Sequence, residues 1–351
     1  MKKKVITFVF FAAVAFLLYL VLKDIDFMEV YLILSYAKPI YIILAVSAIA
    51  MTFISWNFRW TNFFGRLFKR DFWFLLNVLL AGAFFNTITP GAGIAGEPFR
   101  AHFLAKRYKQ PQVKMLSYVL GDKFYQLMTL AFFTIFSIFF VLIYVKISNT
   151  LTYILEGILI LVISLASFAL YSTLKKLHFD LGAFVKRFYF IKSIRKKFSS
   201  PDNFERYVNK KVKHFLKIFR QSVLSKRNLI VGFSLSIIFW MFNYLCSYFL
   251  FLAFGYDVNF LSVIIVVTLA TMIGDLSLLP SGMGVTEISM TLLYSAMGIF
   301  LPLALLVSFL ARLIYYFFSL GIGGLSLIYV RKVINENESF KNKSLKKRNK
   351  K

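Results

Sequence analysis

Cysteine is almost missing from this chain of 351 residues: Cys246 stands alone. That excludes an internal disulfide and a cysteine-rich metal centre. Histidine is nearly as scarce, and His102, His178 and His214 share no metal-ligand spacing. No Gly-x4-Gly-Lys-Ser/Thr run occurs, so there is no P-loop for a nucleotide. No metal or cofactor is expected. Acidic residues are few, 15 against 42 Lys and Arg, and charged residues make up only 16% of the chain. What replaces them is apolar: 59% of the residues are hydrophobic, in several long runs without a polar face. A helix needs about 20 apolar residues to cross the hydrocarbon core, and soluble cores do not need so many such runs. The chain is read as an all-α polytopic membrane protein.

The net charge of +27 would suit a nucleic-acid partner if it were spread over a folded surface. It is not. Sixteen Lys/Arg fall in Lys175–Arg227 and nine in Arg331–Lys351, both flanking apolar runs. Cytoplasmic loops carry such clusters, where they attract anionic lipid headgroups. No nucleic-acid partner is expected. Lys2, Lys3 and Lys4 precede Val5–Leu22 as in a signal peptide, but the run is long for one and no small-x-small cleavage site follows. It is read as the first membrane anchor.

Clear spans are Val5–Leu22, Pro39–Trp56, Met115–Val145, Leu151–Leu174, Asn228–Phe254 and Pro302–Val330. Phe72–Thr89 and Leu261–Leu279 are apolar too, but lead into Pro/Gly-rich stretches. If both crossed fully, the most basic loop would lie outside. If both dip and return, every basic cluster is cytoplasmic. The expectation is a multi-pass protein of the cell membrane with about six full crossings, two re-entrant helical hairpins and both termini cytoplasmic. Residues 1–330 form the transmembrane domain and 331–351 a basic, disordered cytoplasmic tail. Within the loop 175–227, Phe204, Val208, Val212, Phe215, Phe219 and Val223 recur at helical spacing between basic residues, which predicts a helix at the membrane interface.

The two hairpin tips resemble each other. Pro90–Glu97 reads PGAGIAGE and Pro280–Glu287 reads PSGMGVTE, both Pro-x6-Glu with glycines between. Charge recurs further on: Asp122 follows Glu97 at the same interval as Arg312 follows Glu287. Because the charge-derived topology brings the hairpins in from opposite sides, the pattern is that of an inverted repeat. Proline interrupts the incoming helix and glycine permits the turn. Non-helical backbone at membrane depth must be satisfied by protein or a water-filled cavity. The positive N-terminal end of a returning half-helix can then face an anion.

The stretch NTITPGAGIAGEPFR, the later LPSGMGVTE and the arginine of LARLIYY resemble the flippase-like membrane family, which includes the transmembrane region of lysylphosphatidylglycerol synthetases. The resemblance covers most of residues 1–330. It implies a polytopic fold associated with translocating lipids or lipid-linked headgroups. It does not carry the synthetase activity, which belongs to a separate soluble aminoacyl-transferase domain for which the short stretch Arg331–Lys351 leaves no room. The family often has a Glu-Arg pair where this chain has Asp122-Lys123.

Ionisable groups in a membrane face the protein interior and pair, since each costs about 2.5–3.5 kcal/mol at a helix centre. The candidate substrate-binding residues are Asn86, Pro90, Glu97, Arg100, Asp122, Lys123, Asp275, Pro280, Glu287 and Arg312. Arg312 and Lys123 would contact a lipid phosphate. Glu97, inside the protein, and Glu287 would balance those cations, bind a cationic headgroup or carry a coupling proton. Arg100 is placed toward the cytoplasmic entrance. An internal ion-pair network that only fixes helix packing is the plain alternative. The leading function is a flippase-like transporter for an anionic membrane lipid, driven by a coupling ion, a lipid gradient or a partner. A lipid-headgroup-modifying enzyme and a noncatalytic membrane partner protein are the alternatives. No nucleophile–base pair is visible to support catalysis, and no catalytic residue is assigned.

Overall fold

The computed structural model describes residues 27–62, 71–91, 93–144, 149–174, 181–190 and 198–348. The predicted first anchor, Val5–Leu22, lies outside them. The described residues are helical, with no strand among them. Among them, five helical stretches are long and apolar enough to cross a membrane: Pro39–Asn62, Gln112–Tyr144, Leu155–Leu174, Lys226–Ala253 and Leu301–Glu336. Together with the shorter apolar helices, they make the chain an all-α polytopic membrane protein.

In chain order the elements are α1 (Phe27–Ser35), α2 (Pro39–Asn62), α3 (Phe72–Ile88), α4 (Glu97–Tyr108), α5 (Gln112–Tyr144), α6 (Asn149–Leu174) and α7 (Leu181–Lys186). There follow α8 (Pro201–Val223), α9 (Lys226–Ala253), α10 (Phe260–Leu276), α11 (Val285–Ala296), α12 (Leu301–Tyr316) and α13 (Gly323–Arg348). A π-helical stretch, Phe317–Ile322, joins α12 to α13. The last helix runs on to Arg348, through the positions expected to form a disordered tail. Lys and Arg, which are good helix formers, recur through those positions.

Two pairs of helices stop short. α3 and α10 each have 17 residues, or about 25 Å at 1.5 Å per residue, less than the roughly 30 Å of the hydrocarbon core. Each is followed by a glycine-bearing break and a helix of 12 residues that packs back against it. These are the hairpins expected from the Pro-x6-Glu motifs. α3 also touches the turn Pro280–Gly282 of the other hairpin, so the two hairpins are in contact.

Around them, α2 and α9 pack along their lengths, α13 lies on α3, and α5 contacts α4, α6, α9 and α10. One hydrophobic core runs through α2, α3, α9, α10 and α12, built on residues such as Trp60, Leu75, Leu79, Tyr244, Val263 and Val307. The outer faces are apolar as well: Phe132, Phe139, Ile160, Leu165, Phe168, Leu325 and Ile328 are all exposed. A soluble monomer rarely shows so broad an apolar surface, whereas a lipid-facing belt must be built this way.

The predicted amphipathic helix exists as α8, capped by the Ser200 hydroxyl, which accepts from the Asn203 amide. Its apolar side is docked on protein. The Tyr125 hydroxyl donates to the Val223 carbonyl, Ser117 Oγ donates to the Phe215 carbonyl at 3.2 Å, and the rings of Phe124 and Phe219 meet edge-on at 6.0 Å. The opposite side exposes Arg206, Lys210, Lys211, Lys213 and Lys217.

Candidate functional site

The first hairpin closes on backbone. Gly96 sits directly against the Gly82 carbonyl of α3, where a Cβ would collide with it. Its amide donates to Asn86 Oδ1 at 2.6 Å. Gly82 in turn leaves the space that the Arg100 side chain fills. In the second hairpin Gly274 and Gly282 make the equivalent approach, with Thr286 Oγ1 against Gly274. Each break also holds two glycines in the left-handed region, Gly91 and Gly93 in one and Gly282 and Gly284 in the other. L side chains rarely adopt that conformation, which accounts for the glycines of both motifs.

Four ionised side chains collect behind the first hairpin, every one of them 0% exposed. Arg59 Nε pairs with Asp122 Oδ1 at 2.6 Å. Arg100 pairs with Glu97 at 2.7 Å and reaches Asp122 Oδ2 at 3.5 Å. Trp56 Nε1 donates to Asp122 Oδ2 at 2.8 Å, and Arg59 donates to Ser236 Oγ at 3.0 Å. The Arg100 guanidinium lies 4.2 Å from the Trp60 ring centroid, where cation–π attraction adds to the ion pairs. Two cations face two anions, and water has no access. Glu97 is inside the protein as expected. Arg100 is not at an entrance: the gap left by Gly82 draws it inward between two carboxylates.

The second hairpin carries a different arrangement. Arg312 Nε lies 3.2 Å from Glu287 Oε1. Its Nη2 donates to the Tyr316 hydroxyl at 2.8 Å and to the Ser281 carbonyl, while Tyr316 donates to Glu287 Oε1 at 2.6 Å. Ser281 is one of three non-glycine residues with positive φ among the described residues, at 51°, so the chain holds a strained turn where its carbonyl meets the guanidinium. Unlike the first cluster, this one is open: the Arg312 side chain keeps 16% exposure.

That opening is a cavity of about 120 Å³ between the hairpins. Its charged lining is Lys123, Asp275 and Arg312, joined by Asn86, Gln126, Asn243, Thr271 and Ser281, with Trp56, Trp240 and Tyr315 as its aromatic wall. Lys123 points here although Asp122 points into the sealed cluster. Neighbours on a helix are separated by about 100°, so one dipeptide serves both sites.

The ten candidate residues therefore separate. Asn86, Lys123, Asp275 and Arg312 line the cavity. Glu97, Arg100 and Asp122 form the sealed cluster, and Glu287 is buried behind Arg312. Pro90 is exposed and Pro280 opens the second turn, so both shape the breaks without lining the cavity. In each returning helix a glutamate stands in the first turn, Glu97 in α4 and Glu287 in α11. The anion favoured by those positive helix ends is thus supplied by the chain itself. Sequence reasoning missed Arg59, Trp56, Trp60 and Ser236. The signal was WNFRW, an arginine with tryptophans three before and one after it inside an apolar span. Among the described residues no group of His, Cys, Asp and Glu could hold a metal ion.

Two hairpins of short helices around a cavity, within a bundle of long apolar helices, define an all-α polytopic membrane protein. The chain belongs to the lysylphosphatidylglycerol synthase transmembrane-region family, whose model matches residues 5–323. It is similar to a UPF0104 membrane protein of Pyrococcus horikoshii, 27% identical over 299 residues, 84% of this chain and 88% of the relative. A UPF0104 membrane protein of Methanocaldococcus jannaschii is 28% identical over 308 residues, 86% of this chain and 88% of that one. One of Methanothermobacter thermautotrophicus is 26% identical over 312 residues, again 86% and 88%.

Proposed function

We propose that this protein is a flippase-like transporter that takes the headgroup of an anionic lipid, or a lipid-linked anion, into the cavity between its hairpins and moves it across the membrane. The observation that carries this reading is the unequal use of the cations. Arg59 and Arg100 are consumed by buried carboxylates, whereas Lys123 and Arg312 face the cavity. Among the described residues, Lys123 Nζ donates one hydrogen bond, a long one to Gln126 Oε1 at 3.4 Å. A planar guanidinium beside an ammonium suits a phosphate, which accepts hydrogen bonds from both. The Trp and Tyr wall leaves the rest of the cavity amphipathic, as a lipid requires. Six crossings with both termini cytoplasmic fit the short α3 and α10 and keep the exposed basic side of α8 in the cytoplasm.

Translocation of a labelled anionic lipid in proteoliposomes tests the proposal. The double variant Arg312→Ala, Glu287→Ala removes a cation and its partner together. It is expected to fold and to lower the translocation rate at least tenfold. Movement at the wild-type rate by a well-folded double variant would overturn the reading.

A further inference from the structure

The cavity as it stands is electrically balanced, and that is at odds with taking in an anion by itself. Arg312 is offset by Glu287 at 3.2 Å. Lys123 is offset by Asp275, which lines the same cavity. An entering anion would leave the site with one excess negative charge where water is scarce and charge is expensive.

Asp275 differs from the other acids of the interior. Glu97, Asp122 and Glu287 are each held by an arginine. Asp275 is half-buried at the end of α10, and its carboxylate makes no hydrogen bond or ion pair among the described residues. The groups around it come from every neighbouring element. α5 supplies Lys123, with Asp122 turned away toward Arg59. α12 supplies Arg312 and Tyr315, α11 supplies Glu287 bound to Arg312, and α9 supplies Cys246. The turn Pro280–Gly282 adds no titratable side chain. No histidine lines the cavity.

We infer that the cavity takes up a phosphate-type anion together with one proton, and that Asp275 is where the proton sits. Protonation leaves Lys123 unopposed, so the cavity gains one positive charge as the anion brings one negative charge. The carboxylic acid also becomes a hydrogen-bond donor to a phosphoryl oxygen instead of a repelling charge. Anion and proton then raise each other's affinity by the same factor, as linkage requires. No bond is made or broken beyond the proton's transfer from water to the carboxylate. This inference rests on the proposed anion site and names its coupling ion.

The test uses the purified full chain in nanodiscs and the phosphodiester glycerophosphoglycerol as probe, whose charge stays constant across the range examined. Affinity is measured by calorimetry from pH 5 to 9, and proton uptake by repeating titrations in buffers of different ionisation heat. Wild type is expected to take up about one proton per anion above the ionisation range of Asp275, with affinity falling up to about tenfold per pH unit there. Asp275→Asn is expected to bind with no proton uptake and a flat pH profile. Lys123→Ala is expected to lose binding at least tenfold at every pH. Binding without proton uptake in wild type, or an unchanged pH profile in Asp275→Asn, would overturn the inference while leaving the anion site standing. Equal binding by wild type and Lys123→Ala, or none by either, would overturn the anion site and the inference with it.

Discussion

The two hairpins carry the same motif and use it in opposite ways. Around the first, Arg59, Glu97, Arg100 and Asp122 are sealed, with both guanidiniums resting against aromatic rings. Around the second, Glu287 and Arg312 stand at the edge of a cavity with Lys123 and Asp275 facing into it. A repeat that sets a second charged residue at one fixed interval after each glutamate does not decide what the pair does. What decides is whether neighbouring helices fill the space beside it. α2 brings Trp56, Arg59 and Trp60 to the first hairpin and closes it. Beside the second, Gln126, Asn243 and Thr271 line space that is not filled.

On that contrast, the sealed cluster should govern stability and the open one ligand handling. Asp122→Ala strips Arg59 of its ion pair and leaves a buried cation uncompensated, a loss of about 3–5 kcal/mol. Thermal unfolding in nanodiscs should place it far below wild type, or accumulation should fail. A melting point near that of wild type would break the contrast.

The glycine contacts come next. Gly96→Ala drives a methyl into the Gly82 carbonyl, which is backbone within a helix, whereas Gly274→Ala meets the hydroxyl of Thr286, which can rotate away. Gly96→Ala should therefore cost about 1–3 kcal/mol and exceed Gly274→Ala in the same melts. The reverse order would mean that the second hairpin is the tighter one.

Lys123→Ala removes a side chain held by one long hydrogen bond to Gln126. Its melting point should stay close to wild type even as anion affinity falls, since the cavity edge can admit water in its place. A large drop in melting point would assign Lys123 to the structural cluster instead.

The smallest effect belongs to the exposed pair of Lys186 and Asp202, 2.6 Å apart. The hydrogen bond between them holds Asp202 below the ordinary carboxylate range and Lys186 above the ordinary amine range. Any contribution is present between those ranges. It is lost as pH falls through the lowered Asp202 value or rises through the raised Lys186 value. Exposed pairs are weak, so Lys186→Ala should leave the melting curve at pH 7 unchanged.

Much of this architecture was legible because it rests on local chemistry. Proline and glycine positions marked both breaks, and a long apolar run preceding each marked its incoming helix. The repeated interval matched a real contact in one hairpin, Glu287 with Arg312. In the other hairpin the same interval joins two acids, Glu97 and Asp122, which repel unless a cation stands between. Arg100 and Arg59 supply that charge, and Arg59 comes from a helix distant in sequence. The span Pro39–Trp56 stopped short of Arg59, because nothing local shows that α2 extends to Asn62 and buries it. The amphipathic period of α8 was equally plain, but it could not tell a membrane surface from the flank of α5.

The central claim is that Lys123 and Arg312 receive the phosphate of an anionic lipid in the cavity between the hairpins. The most direct measurement is the position of lipid phosphate density in an experimental structure of the protein in anionic nanodiscs. Phosphate is expected within hydrogen-bond distance of both side chains. Phosphate density found only along the basic outer side of α8, with nothing but water in the cavity, would contradict the claim.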